Sequence, residues 1–210
     1  MKRIFLSSSF ADVAKSLETF LDRNPAGNTV TFIATASIPE KVRFYVSAGR
    51  KALERMGMIV EELDLARETP EHAAAALRKN PFIYVSGGNV FYLLQELRRT
   101  GCDSVICNLI ESGTVYIGES AGAMILAPDI SYAAHMDSPK AAPDLGDYTG
   151  LAAIDFYPVP HFGNAPFKKA ANTIVDAYGK TCTLYPISNA QYIAVRGSAV
   201  SVHTGEKIRQ

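Results

Sequence analysis

The 210-residue chain has no excess of charge of either sign, with 21 Lys and Arg against 21 Asp and Glu. A nucleic-acid binder usually shows a basic excess or stripe, and a polybasic membrane anchor needs a run of cations. The balance argues against both. Cysteine is scarce and odd in number: Cys102, Cys107 and Cys182. A chain of this length buries roughly 70% of its extended surface on folding and needs no staples. The three therefore read as reduced thiols in a cytoplasmic protein. No stretch of about 18 apolar residues exists to span a membrane, and the apolar run Ile4-Phe5-Leu6 is too short for the core of a signal peptide. No cluster of His, Cys and carboxylates has metal-ligand spacing, so neither metal nor cofactor is expected. With 48% apolar and 20% charged residues, the composition is that of a globular protein. No linker, repeat or low-complexity tract divides the chain, so residues 1–210 read as one domain.

Strand and helix signals alternate along the first 126 residues. Arg3 to Ser7 is a short apolar strand, after which Ser9 offers an N-cap to a helix carrying Val13, Leu17, Phe20 and Leu21. Residues 29–34 form a β-branched run. Pro39 suits a first helical position, and Val42, Tyr45, Val46, Gly49, Leu53 and Met56 then trace one helix face. Met58 to Leu65 is a further strand, and Thr69-Pro70-Glu71 opens an alanine-rich helix. The buried strand Pro81 to Val85 ends in Ser86-Gly87-Gly88-Asn89, with Asn89 placed to cap a helix that Gly101 closes. A helix over about 103–111 precedes the strand Thr114 to Ile117. Short, continuously apolar strands separated by helices predict a doubly wound α/β fold, mostly parallel and covered on both faces. Residues 128–150 read as loop. A strand then runs to His161, a helix covers 165–178, and three short strands end the chain.

Three segments carry chemistry. Gly118-Glu119-Ser120-Ala121-Gly122 is a G-x-S-x-G sequence, weak alone but strengthened by a buried strand before it and a helix after it. Such a turn pushes Ser120 out above the sheet as a nucleophile, and the helix start offers free N–H groups to an oxyanion. Ser86-Gly87-Gly88-Asn89 also lies beyond a strand's carboxyl end, where ligands bind in parallel sheets. There the Gly88 N–H, with that of Ala121, can form an oxyanion hole. His161, in Pro158-Val159-Pro160-His161-Phe162, is held stiffly at a strand end, which suits a general base. A third group should fix its tautomer. Asp129, Asp137, Asp144, Asp147 and Asp155 lie between the serine and the histidine, and spacing does not choose among them.

Taken together, Tyr84 to Leu94, Tyr116 to Ala123 and Pro160-His161-Phe162 resemble the aspartyl dipeptidase (peptidase E) family of serine peptidases, in the same order and with similar spacing. The resemblance implies a flavodoxin-like fold related to class I glutamine amidotransferases. It implies Ser120 as nucleophile, His161 as base, and Gly88 and Ala121 as oxyanion-hole donors, acting on a short peptide or related amide without a cofactor. The family's triad aspartate lies in an Asn-Asp-Met sequence. Here that count reaches Ala134-His135-Met136, with Asp137 just beyond, and Asp137 becomes the expected third member. The family's arginine-bearing segment, associated with an acidic substrate residue, is absent after His161, so a preference for N-terminal Asp is not expected. Other readings of the same residues are a different amide or ester hydrolase, or a binding module that has lost its acid.

Overall fold

The computed structural model describes residues 1–208. Five strands, β1 (Arg3–Ser7), β2 (Thr29–Ile33), β3 (Ile59–Glu62), β4 (Phe82–Val85) and β5 (Val115–Glu119), are joined through helices. These are α1 (Phe10–Val13), α2 (Ser16–Leu21), α3 (Phe44–Arg55), α4 (Pro70–Lys79), α5 (Val90–Thr100) and α6 (Cys102–Ser112). After β5 come α7 (Ala121–Met124), β6 (Tyr157–Val159), α8 (Lys168–Tyr178), β7 (Leu184–Pro186), β8 (Gln191–Arg196) and β9 (Ala199–Thr204). A seven-stranded sheet has the order β3-β2-β4-β5-β1-β8-β9. Its first five strands pair in parallel, and the β8–β9 hairpin adds antiparallel to β1. β6 and β7 form a separate parallel pair.

The inner strands β1, β2, β4 and β5 are largely buried on both sides because both faces of the sheet are covered there. Ile4 and Leu6 of β1 point into a cluster with Leu77, Leu93, Leu97, Ile106, Ile110 and Ala123, from α4 to α7. Phe5, between them, points the other way, to Phe10, Leu17, Phe20 and Leu53 of α1, α2 and α3. The expected doubly wound α/β architecture is therefore observed.

The ends of α4 and α5 follow their cap residues, whereas Ser9 stands before α1 without a side-chain cap bond. The Thr69 hydroxyl accepts the His72 N–H at 3.3 Å, the Asn89 side chain accepts the Tyr92 N–H at 3.1 Å, and Gly101 closes α5 in the left-handed region. Several boundaries differ from the sequence pattern: the strands expected over 58–65 and up to His161 shorten to β3 and β6, and the helix expected from residue 165 begins at Lys168. The first expected helix is broken at Ala14 and Lys15, whose backbone pairs with Glu206 near the chain's end. The helix expected from Pro39 begins only at Phe44, and Val42 is exposed instead of joining the buried stripe.

The carboxyl ends of β4, β5 and β1 lie side by side in this order. They deliver the Ser86–Asn89 turn, Ser120 and the pair Ser7-Ser8 to one edge of the sheet, where ligands bind in open α/β folds.

Candidate active site

Ser120 follows β5 directly with φ 49° and ψ −106°. A non-glycine residue in such a region costs about 1–3 kcal/mol and persists only where its surroundings hold it. The holding is visible. Its N–H donates to the Ser7 carbonyl at 2.9 Å, and the turn packs so closely on β4 that a Cβ on Gly122 would stand 2.1 Å from the Val85 carbonyl oxygen. The second glycine of the motif is thus required by close approach of backbone to backbone.

His161 lies two residues past β6, and its Nε2 is 3.0 Å from Ser120 Oγ. It too has a positive φ, 61°, and its N–H donates to the Ser8 hydroxyl at 2.9 Å. The Phe167 ring stacks on the imidazole with centroids 4.9 Å apart. On the far side, Nδ1 lies 2.8 Å from Asn189 Oδ1. An amide oxygen only accepts, so Nδ1 carries the proton and Nε2 presents its lone pair to the serine. Burial lowers the His161 pKa, opposed by the Asn189 hydrogen bond, and the net shift is downward. The neutral, proton-accepting form is favoured.

Asp137 is placed elsewhere. Its Oδ2 accepts the Val90 N–H at 2.9 Å at the start of α5, and the neighbouring Ser138 carbonyl accepts the Asn89 side-chain amide at 3.0 Å. This stitches residues 137–138 to the Gly88 turn and leaves the imidazole to Asn189. Burial pushes the Asp137 carboxyl up to about 7, offset in part by the Val90 N–H. Of the other aspartates, Asp129 caps its own turn through Ser131, Asp147 pairs with Arg98 at 2.9 Å, and Asp144 and Asp155 are exposed. Asn189 had no signal in the sequence. Ser188-Asn189-Ala190 reads as a turn between two strands, and it reaches His161 because β7 pairs with β6.

Gly88 and Ala121 bring their N–H groups to the same edge. Neither N–H has a hydrogen-bond acceptor among the described residues. Gly88 has φ +133°, and a Cβ there would lie 2.2 Å from the Ala36 carbonyl oxygen. A Cβ on Gly87 would lie 3.3 Å from Ser120 Cβ, so the turn rests against Ser120. Beneath it, buried Glu119 accepts the Phe10 N–H at 2.9 Å and the Tyr84 hydroxyl at 2.7 Å. Burial raises its carboxyl to about 6 despite these donors.

A serine hydroxyl against a neutral imidazole, beside free backbone donors, is equipped for acyl transfer. The model of peptidase family S51 matches residues 4–203. An uncharacterized peptidase of Listeria innocua is 54% identical over 200 residues, covering 95% of each chain. Peptidase E of Salmonella newport is 30% identical over 140 residues, 65% of this chain and 56% of that protein. A crystal structure of a protein provisionally assigned as peptidase E, from Listeria monocytogenes, superposes with a TM-score of 0.93 at 50% identity, covering 97% of this chain and 98% of that one. A peptidase from an acI-B1 Actinobacterium shares the fold, with a TM-score of 0.69 at 21% identity over 99% of this chain and 92% of that one.

Proposed function

The chain belongs to peptidase family S51, and from that membership we propose that it is a serine peptidase cleaving short peptides through an acyl-enzyme. The observation that carries this reading is the 3.0 Å contact between Ser120 Oγ and His161 Nε2 on a strained strand-to-helix turn. Ser120 Oγ attacks the scissile carbonyl carbon while its proton passes to Nε2. The carbonyl electron pair moves onto oxygen, where the Gly88 and Ala121 N–H groups receive the charge. Collapse re-forms the carbonyl and breaks the C–N bond, and the departing amine takes the proton from Nε2. Water then attacks the ester, gives its proton to Nε2, and the proton returns to Ser120 as the acid leaves.

Asn189 replaces the usual carboxylate behind the base. Cysteine peptidases with a Cys-His-Asn arrangement use an amide in this role. An amide fixes the tautomer but brings no charge to balance the imidazolium. The free thiols Cys102, Cys107 and Cys182 fit a reducing, cytoplasmic setting.

The test is labelling by a fluorophosphonate with peptide mapping, alongside a panel of short peptides. Ser120 should be the labelled residue, and labelling should be lost in His161→Ala. Intact protein that neither labels nor hydrolyses any peptide of the panel would overturn the assignment.

A further inference from the structure

Two consecutive serines at the end of β1 hold the backbones of both reacting residues. The Ser7 carbonyl accepts the Ser120 N–H at 2.9 Å. The Ser8 hydroxyl accepts the His161 N–H at 2.9 Å and donates to the Ile187 carbonyl at 3.0 Å. Ser8 is buried, 1% exposed, so water does not substitute for these bonds. Ile187 lies two residues before Asn189, and its carbonyl also accepts the Phe162 N–H at 3.0 Å. One hydroxyl therefore spans the segment carrying the base and the segment carrying the base's partner, and anchors both to the strand beside the nucleophile.

The anchored segments are also closed on each other. Asn164 N–H donates to the His161 carbonyl at 2.9 Å, and Asn164 Oδ1 accepts the Asn189 N–H at 2.9 Å. These bonds set His161 relative to Asn189 but not relative to Ser120. Position relative to the nucleophile comes through the end of β1, where Ser7 takes Ser120 and Ser8, the next residue, takes His161. His161 sits at φ 61°, a conformation that persists only where its surroundings over-determine it.

We propose that Ser8 is a positioning residue of the catalytic centre, setting the Ser120–His161 approach through the His161 backbone and the 187–189 turn. The role needs a group that donates and accepts at once, which a hydroxyl provides and an alkyl group does not. Displacements of about 1 Å from outside the reacting groups can cost about a hundredfold in rate.

This inference rests on the reading of Ser120 and His161 as nucleophile and base. Ser8→Ala should lower kcat by about ten- to a hundredfold with KM nearly unchanged. It should also move the acid limb of kcat/KM upward, toward the ordinary histidine value of about 6.5, as the loosened imidazole gains water. Ser8→Thr, which keeps the hydroxyl, should recover most of the rate and the limb. Should Ser8→Ala fail to fold, Ser8→Cys fills the same space with a weak donor and should show the same loss and shift. Folded Ser8→Ala or Ser8→Cys with wild-type kcat and an unmoved limb overturns the proposal. So does a rate loss of equal size in Ser8→Thr without a shifted limb, which marks a packing role. Activity surviving in Ser120→Ala would instead sink the nucleophile reading, and this inference with it.

Discussion

Asn189 Oδ1 lies 2.8 Å from His161 Nδ1, so a neutral amide stands behind the imidazole where a carboxylate would add charge. Orientation and electrostatics, which a triad aspartate combines, are separated here. Asn189→Ala removes orientation and should lower kcat by about a hundredfold or more, short of the roughly ten-thousandfold seen when a triad imidazole is driven into the wrong tautomer. Asn189→Asp keeps the acceptor and adds a charge, which stabilises the imidazolium. Its acid limb should therefore move to higher pH than in the wild type. Rate profiles across pH for the two variants check both statements. An Asn189→Ala enzyme with full kcat would remove the residue from the site.

The pH profile of the wild type has a definite sign. On the proposed mechanism His161 must be neutral to accept the serine proton, so activity should be lost as pH falls through its pKa. Burial has lowered that pKa, and the limb should fall below the ordinary value of about 6.5. Burial also brings the Glu119 carboxyl up to about 6, where its titration could shape an acid limb. Glu119→Gln decides between them, since an amide can still accept from Phe10 while losing the titration. The limb should stay in place in that variant. Its disappearance would assign the limb to Glu119.

Gly88→Ala tests the proposed oxyanion role of its turn. A Cβ at this position would stand 2.2 Å from the Ala36 carbonyl oxygen and 2.5 Å from the Ser37 nitrogen, both backbone atoms, at φ +133°. The turn must therefore shift. Loss of one oxyanion donor costs about a hundred- to a thousandfold in kcat, and the substitution should reach that range with a smaller change in KM. Steady-state kinetics on a folded variant measure it. Wild-type kcat would place the developing charge elsewhere.

Much of this architecture was legible in the sequence because its signals are local. Apolar runs such as Phe82–Val85 mark strands buried on both faces, Asn89 and Gly101 punctuate α5, and the Gly118–Gly122 sequence announces a tight turn. What stayed hidden depends on contacts across the chain. The break at Ala14 comes from pairing with Glu206, 192 positions on. The partner of His161 is Asn189, which a search for carboxylates between residues 120 and 161 passes over. The placement of the site residues was readable where one segment carries them, and unreadable where a turn residue reaches His161 through the pairing of β6 with β7.

Substrate preference should not favour an N-terminal Asp. A carboxylate side chain is best held by the planar fork of an arginine, and the segment after His161 offers Lys168 and Lys169, both exposed at the start of α8. Matched dipeptides differing only in the first residue, Asp, Asn, Leu and Ala, should give similar kcat/KM values. An advantage for Asp of about a hundredfold, worth about 2.7 kcal/mol in the transition state, would reveal a basic group reading the side chain.

Asp137 gives the sharpest contrast between the sequence expectation and the geometry. As a triad member it would lose about ten-thousandfold in turnover on conversion to Asn. Bound to the Val90 N–H at 2.9 Å, it should lose only several-fold, because an amide oxygen can accept the same bond. The second readout is stability. The folded-state pKa stands at about 7 against an ordinary 3.8, raised by burial. The folded protein therefore holds this proton more tightly than the unfolded chain, and the Asp137 contribution to stability falls as pH rises between those values. Above the upper value the full cost of a buried charge is in place. Asn carries no such cost, so Asp137→Asn should raise the melting temperature at about pH 8, with the gain shrinking below 7 and vanishing near 4. Thermal unfolding of both proteins across that range, with kcat measured alongside, separates the two roles: a collapse of turnover with no pH-dependent gain in stability would return Asp137 to the role of orienting the imidazole.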